Sequence, residues 1–179
     1  MKTEIPAKKL GRKKIYRAYS YDVVCDLVRW PNGRILQRDL IVHPGISVML
    51  PVKKGSIVMI RQYRYGADSY LWELPAGTVG KKEPPLKCAK RELIEETGYS
   101  ARTWKKLCTV YSSPGLSNET IHCFLAKNLK QTKSAPEDDE IIEVHEFSFA
   151  RVKKMIQTGA ICDAKSLMAL FHFFGRYGS

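Results

Sequence analysis

Three carboxylates crowd one short stretch of this 179-residue chain. The segment from Gly77 to Tyr99 reads GTVGKKEPPLKCAKRELIEETGY. Advancing by about 100° per residue puts Glu92, Glu95 and Glu96 on one arc and Leu86, Ala89 and Leu93 on another. Carboxylates that close repel one another unless a cation joins them. Lys90 and Arg91 neutralise part of the charge. A hard divalent cation accounts for the rest, because Mg²⁺ prefers carboxylate oxygen, keeps several waters and binds phosphates. The competing reading is a solvated acidic face, since charge runs are usually surface. A short helix must position the three: Pro84 and Pro85 mark its start, and Gly98 stands just past its end.

The surrounding spacing narrows the choice. Gly77, Glu83, Arg91, Glu92, Glu95, Glu96 and Gly98 follow the pattern G-x5-E-x7-R-E-U-x-E-E-x-G-U, with Leu93 and Tyr99 in the U positions. This resembles the Nudix box without a gap; Tyr99 alone is less usual than an aliphatic residue there. At average residue usage the match arises by chance with odds on the order of one in a million, so the resemblance outweighs the solvated-face reading.

Composition sets the frame. The length suggests one domain with a small extension, and 44% hydrophobic residues are enough for a core. The formal net charge is +12. Lys2, Lys8, Lys9, Arg12, Lys13 and Lys14 face only Glu4 in the first 14 residues, which read as a basic flexible arm. The excess charge attracts anions such as phosphates. Nucleic acid is a minority reading, because no base-reading motif or zinc-ligand spacing is present. Cys25, Cys88, Cys108, Cys123 and Cys162 are scattered, with no CxxC, which fits reduced thiols in the cytoplasm. No apolar run approaches membrane-spanning length, so no membrane partner is expected.

Along the chain, Tyr16–Trp30 and Arg34–Val42 read as two strands around the turn Pro31-Asn32-Gly33. Residues 15–43 thus form an N-terminal β extension, and 44–179 the main domain. Ile46–Pro51 and Ser56–Tyr63 are further strands, followed by strands over Thr103–Tyr111, Glu119–Leu129 and Ile141–Phe147. Ser148 caps a helix ended by Gly159. Asp163 caps a last helix with Leu167, Leu170, Phe171 and Phe174 toward the core. This order predicts an α/β fold, a mixed β-sheet sandwiched between α-helices, with an antiparallel β extension at the N-terminus.

The resemblance implies more than the spacing does. Glu92, Glu95 and Glu96, with the Ala76 carbonyl, would hold Mg²⁺ or Mn²⁺. Arg91 and Glu83 would order the box by ion pairing, and Gly77 and Gly98 would permit backbone conformations other residues resist. The reaction would be hydrolysis of a nucleoside diphosphate linked to another moiety. Glu140 or Asp139, in the acidic run Glu137–Glu140, would be the general base, with Glu96 or Glu95 as alternatives. Several stretches resemble ADP-ribose pyrophosphatases: QRDLIVHPG, RQYRY, WELPAG, Pro114 sixteen residues beyond Gly98, and GAICDA near the end. They nominate Arg38, Arg64, Glu73 and Pro114 for substrate binding, with Arg38 reaching a nucleotide across a homodimer. His43 reads as a local hydrogen-bonding residue. The implied product pair is AMP and ribose 5-phosphate. GDP-mannose or another nucleotide-sugar is the alternative substrate, and a non-catalytic nucleotide sensor or RNA-binding module the alternative class.

Overall fold

The computed structural model describes residues 6–132 and 141–177. The chain divides into two compact units, Met1–Gly45 with Tyr111–Thr120, and Ile46–Val110 with Ile121–Ser179.

The first unit is an antiparallel sheet of β1 (Lys8–Arg17), β2 (Asp22–Arg29) and β3 (Ile35–Val42), in that order. Pro31-Asn32-Gly33 turns the chain between β2 and β3. Gly33 adopts φ 79°, which favours glycine, and Asn32 Oδ1 accepts the Arg34 N–H at 3.1 Å. The structure corrects the flexible-arm expectation from Lys8 onward. Arg12 forks onto Asp26 at 2.6 and 2.7 Å, and Lys14 meets Asp22 at 2.7 Å, so acidic residues of β2 compensate the basic strand. The stretch Tyr16–Trp30 is not one strand either, because Ala18 N–H bonds Tyr21 O at 2.9 Å and turns the chain. The segment 111–120 joins β3 through Ile41 N–H to Leu116 O and Asn118 N–H to Ile41 O, at 3.0 and 3.2 Å.

The second unit is a seven-stranded sheet. It comprises β4 (Ile46–Lys53), β5 (Ser56–Arg64), β6 (Ser69–Glu73), β7 (Ala76–Thr78), β8 (Tyr99–Tyr111), β9 (Thr120–Gln131) and β10 (Ile142–Ser148). The main order is β10-β5-β4-β9-β8, with β6 beside β5 and β7 beside β4. β4 and β9 are parallel while β5 pairs antiparallel with β4, β6 and β10, so the sheet is mixed as expected.

Strand alternation writes two cores, one per face. Val48, Leu50, Ile57, Met59, Cys123 and Leu125 pack with Val152 and Met155 of α2 (Phe149–Gln157) and Leu170 and Phe173 of α3 (Ala164–Tyr177). Met49, Val58, Phe124 and Ala126 turn the other way, onto Ala89 and Leu93 of α1 (Pro85–Thr97). Each such fully buried side chain contributes about 1.5–3 kcal/mol. The sheet is therefore sandwiched between helices. Ser148 caps α2 by accepting the Arg151 N–H, and Asp163 caps α3 by accepting the Ser166 N–H. One core assignment changes: Phe171 is 60% exposed, and Phe173 is buried.

Candidate active site

α1 begins where the prolines place it, with Pro84 as its cap, and ends at Gly98, whose φ of 67° brings its N–H onto Ile94 O at 2.9 Å. Gly77 has another reason. Its φ is not in the left-handed range; instead, a Cβ there would stand 1.9 Å from Glu92 Cδ. The missing side chain is what lets the Glu92 carboxylate lie against β7. Tyr99 also finds its reason: its ring is buried beside Leu93, and its hydroxyl donates to Glu146 at 2.7 Å and accepts from Lys53 at 3.0 Å.

Arg91 is the cation at the centre of the box. Its Nε and Nη2 donate to Glu83 at 3.2 and 3.1 Å, and its Nη1 lies 2.7 Å from Glu92 Oε1 and 2.8 Å from Glu95 Oε2. Glu83 Oε2 also accepts the Gly80 N–H at 2.9 Å. The Arg91 hydrogen bonds, helped by that backbone donor, hold the Glu83 carboxyl below the usual range. Glu96 is buried, and its Oε2 accepts the Ala76 N–H at 2.9 Å. Ala76 lies on β7, which pairs with β4. Thus strand and helix together fix the box. Beneath it, burial pushes the Cys88 thiol up to about 11, so this cysteine is not a nucleophile at neutral pH.

The donor set fits a hard divalent cation. Glu92, Glu95, Glu96 and the Ala76 carbonyl offer only oxygen, on one helix turn and the adjoining strand. Among the described residues, however, no three carboxylate, imidazole or thiol side chains form a ready-made metal cluster. Arg91 occupies two of the box carboxylates instead.

Arg64, at the end of β5, donates from Nε and Nη2 to the two oxygens of Glu73, at 2.8 and 2.7 Å. Glu73 is 1% exposed. Burial alone would raise its pKa, but the bonds and charges of Arg64 and Lys165 outweigh burial and hold it down. Sequence reasoning missed Lys165 and Ser166, and took Asp163 only as a cap. The signal was there to find: a basic residue two positions past a cap, beside a small polar one.

Glu73, Arg64, Ala76, Gly77, Glu83, Arg91, Glu92, Glu95, Glu96 and Gly98 all belong to the second unit, whereas Arg38 and Pro114 belong to the first. Arg38 lies on β3 with its guanidinium 5.6 Å from the Trp30 ring centre. Together with Pro31, Asn32, Arg34 and Leu36 they line a cavity of about 470 Å³. Pro114 sits in an exposed turn closed by Leu116 N–H to Ser113 O at 2.9 Å. His43 Nδ1 accepts the Gly45 N–H at 3.1 Å, a local contact. Asp139 and Glu140 lie outside the described residues.

A mixed sheet between helices, carrying an arginine-clamped acidic helix, defines the class. A sequence model of the NUDIX domain matches residues 42–170, and the chain belongs to that family of hydrolases. The particular relatives follow. An ADP-ribose pyrophosphatase of Bacillus subtilis (strain 168) is 34% identical over 166 residues, spanning 91% of this chain and 90% of that one. A GDP-mannose pyrophosphatase of Shigella flexneri is 34% identical over 163 residues, 84% of each. A crystal structure of an ADP compounds hydrolase superposes with a TM-score of 0.85 over the full length of both chains. At 19% identity, that likeness speaks for the fold alone.

Proposed function

We propose that this chain hydrolyses the pyrophosphate bond of a nucleoside diphosphate sugar, most readily ADP-ribose, to AMP and ribose 5-phosphate. The observation that carries the reading is the acidic face of α1, with Glu96 held against Ala76 and Arg91 bridging Glu92 and Glu95. It stands in a chain whose Bacillus relative, an ADP-ribose pyrophosphatase, matches over nine-tenths of both lengths. The GDP-mannose pyrophosphatase of equal identity supports a second substrate, GDP-mannose.

Glu92, Glu95 and Glu96, with the Ala76 carbonyl, would hold Mg²⁺ or Mn²⁺. A divalent ion there supplies charge neutralisation at the pyrophosphate and makes water a better nucleophile. The protein's own groups do the rest. Arg64 binds the diphosphate, and Glu73 beneath it keeps the guanidinium aimed. Arg91 and Glu83 space the box glutamates. The carboxylate of Glu140 or Asp139, or else of Glu96 or Glu95, takes the proton of the attacking water.

Arg38 and Pro114, both of the first unit, are proposed for substrate binding, Arg38 reaching a nucleotide across a homodimer. Exposed Leu10, Ile15, Tyr16, Ile35 and Leu36 on the N-terminal sheet support a homodimer, which light scattering tests. None of the five cysteines is paired, which supports a reducing cytoplasm. No helix among the described residues is long and apolar enough to cross a membrane. A screen of ADP-ribose, GDP-mannose and diadenosine compounds with Mg²⁺ decides the substrate. Fast turnover of another compound beside none of ADP-ribose rejects ADP-ribose.

A further inference from the structure

Two cations share one buried carboxylate. Besides the fork from Arg64, Glu73 Oε2 accepts Lys165 Nζ. Lys165 also donates to Asp163 Oδ2 at 2.9 Å. Its side chain is only 12% exposed, so both of its partners lie inside the fold. Asp163 Oδ2 accepts the Ser166 N–H at 3.0 Å and the Ser166 hydroxyl at 2.5 Å, at the first turn of α3. That helix end carries partial positive charge. Ser166 Oγ, fully buried, accepts the Leu74 N–H at 2.7 Å, next to Glu73 in the chain. Signs therefore alternate without a break from the α3 N-terminus through Asp163, Lys165 and Glu73 to Arg64.

The alternation has a consequence for anion binding. A guanidinium forked onto a lone carboxylate is a neutral pair, and a neutral pair draws a phosphate weakly. Lys165 is shared with Asp163, so the charges of the four side chains sum to zero; without Lys165 the same set would carry one net negative charge beside Arg64, which is 41% exposed. We infer that Lys165 is a positioning residue which, acting through Glu73, fixes Arg64 and spares the substrate's diphosphate a net negative site. This rests on the proposed reading of Arg64 as the diphosphate-binding residue.

The test is titration calorimetry of the full chain with ADP in EDTA, with circular dichroism confirming the fold. Lys165→Met is expected to weaken ADP binding about tenfold, and Lys165→Arg to restore it to within about twofold. A Glu73→Gln/Lys165→Met double variant removes the lysine together with the Glu73 charge it offsets, while Asp163 keeps the Ser166 N–H and hydroxyl. It is expected to bind ADP more weakly than the parent but more tightly than Lys165→Met. A purely structural lysine would not give that order. Parental affinity in either Lys165→Met or the double variant overturns the inference. ADP-ribose turnover by the parent, assayed alongside, separates the two readings. Turnover with Lys165-independent affinity rejects only the positioning role. Lys165-dependent affinity without turnover of any nucleotide-sugar rejects only the pyrophosphatase reading.

Discussion

The Glu92 carboxylate lies where a side chain on residue 77 would stand, 1.9 Å from the position of a Cβ on Gly77. Strand β7 and helix α1 meet there with no room for a methyl group. Gly77→Ala must therefore turn Glu92 out of the box. Because the displaced group is a flexible side chain, the expected cost in stability is only about 1–2 kcal/mol by urea unfolding. Activity is expected to fall about 100-fold, with a higher Mg²⁺ requirement. Parental activity in Gly77→Ala would show that Glu92 is not needed where it lies.

Glu96 has a structural task and a proposed chemical one, and a single substitution separates them. Glutamine at 96 still presents an oxygen to the Ala76 N–H, so the fold and the 2.9 Å contact are kept. The ionised oxygen is lost. Glu96→Gln is expected to melt within about 2 °C of the parent and to lose about 10²–10⁴ in kcat. Hydrolysis at the parental rate would remove Glu96 from the site.

On the proposed reading, Arg91 and a divalent ion would neutralise the same carboxylates. Removing the guanidinium leaves Glu83, Glu92 and Glu95 without their shared cation. In EDTA, Arg91→Gln is expected to lose ~1–2 kcal/mol, about 4 °C in Tm. Adding Mg²⁺ is expected to restore more Tm in the variant than it adds to the parent. Equal Mg²⁺ shifts in both would disconnect Arg91 from the metal site.

The Lys53–Tyr99–Glu146 cluster sets a pH window. Hydrogen bonds from Lys53 and then Tyr99 hold the Glu146 carboxyl below its usual range. The Glu146 and Tyr99 bonds push Lys53 up to about 12. Glu146's contribution is present above its unfolded pKa and is lost as pH falls through the depressed folded value. That of Lys53 is present below its unfolded pKa and is lost as pH rises through about 12. Tyr99→Phe keeps the ring and removes the bridge. It is expected to cost about 1 kcal/mol at pH 7, with a smaller loss in acid, as pH falls through the depressed Glu146 value. A cost that does not change with pH would assign it to packing.

The box was legible because its signals are local. Pro84, Pro85 and Gly98 mark helix ends by their own backbone chemistry, and three glutamates on one arc need no tertiary knowledge. The paired sheet was legible wherever polar and apolar residues alternate. What stayed hidden depends on distant partners. Residues 8–14 looked like a flexible arm because Asp26 and Asp22, which pair with Arg12 and Lys14, lie on the neighbouring strand. Arg64 and Glu73 were each singled out, but their mutual fork spans the β5–β6 pairing and is invisible in a linear reading. The only local mark of Lys165 is its place two residues past the Asp163 cap, and its role appears only when α3 is folded beside Glu73. Phe171 and Phe173 are both apolar on one helix, and only the sheet's position decides which is buried.

The parallel pairing of β4 with β9 joins Ile46 to Ile121 and Pro51 to Ala126, across the whole length of the box helix. On a ribosome, β4 leaves the exit tunnel long before its central partner is made. Until β9 arrives, Met49 and Leu50 have one open edge beside them. Contacts so distant in sequence slow folding and expose unpaired strand to neighbours. The β4 edge is therefore the place where a nascent chain is most open to pairing with a neighbour before β9 closes it.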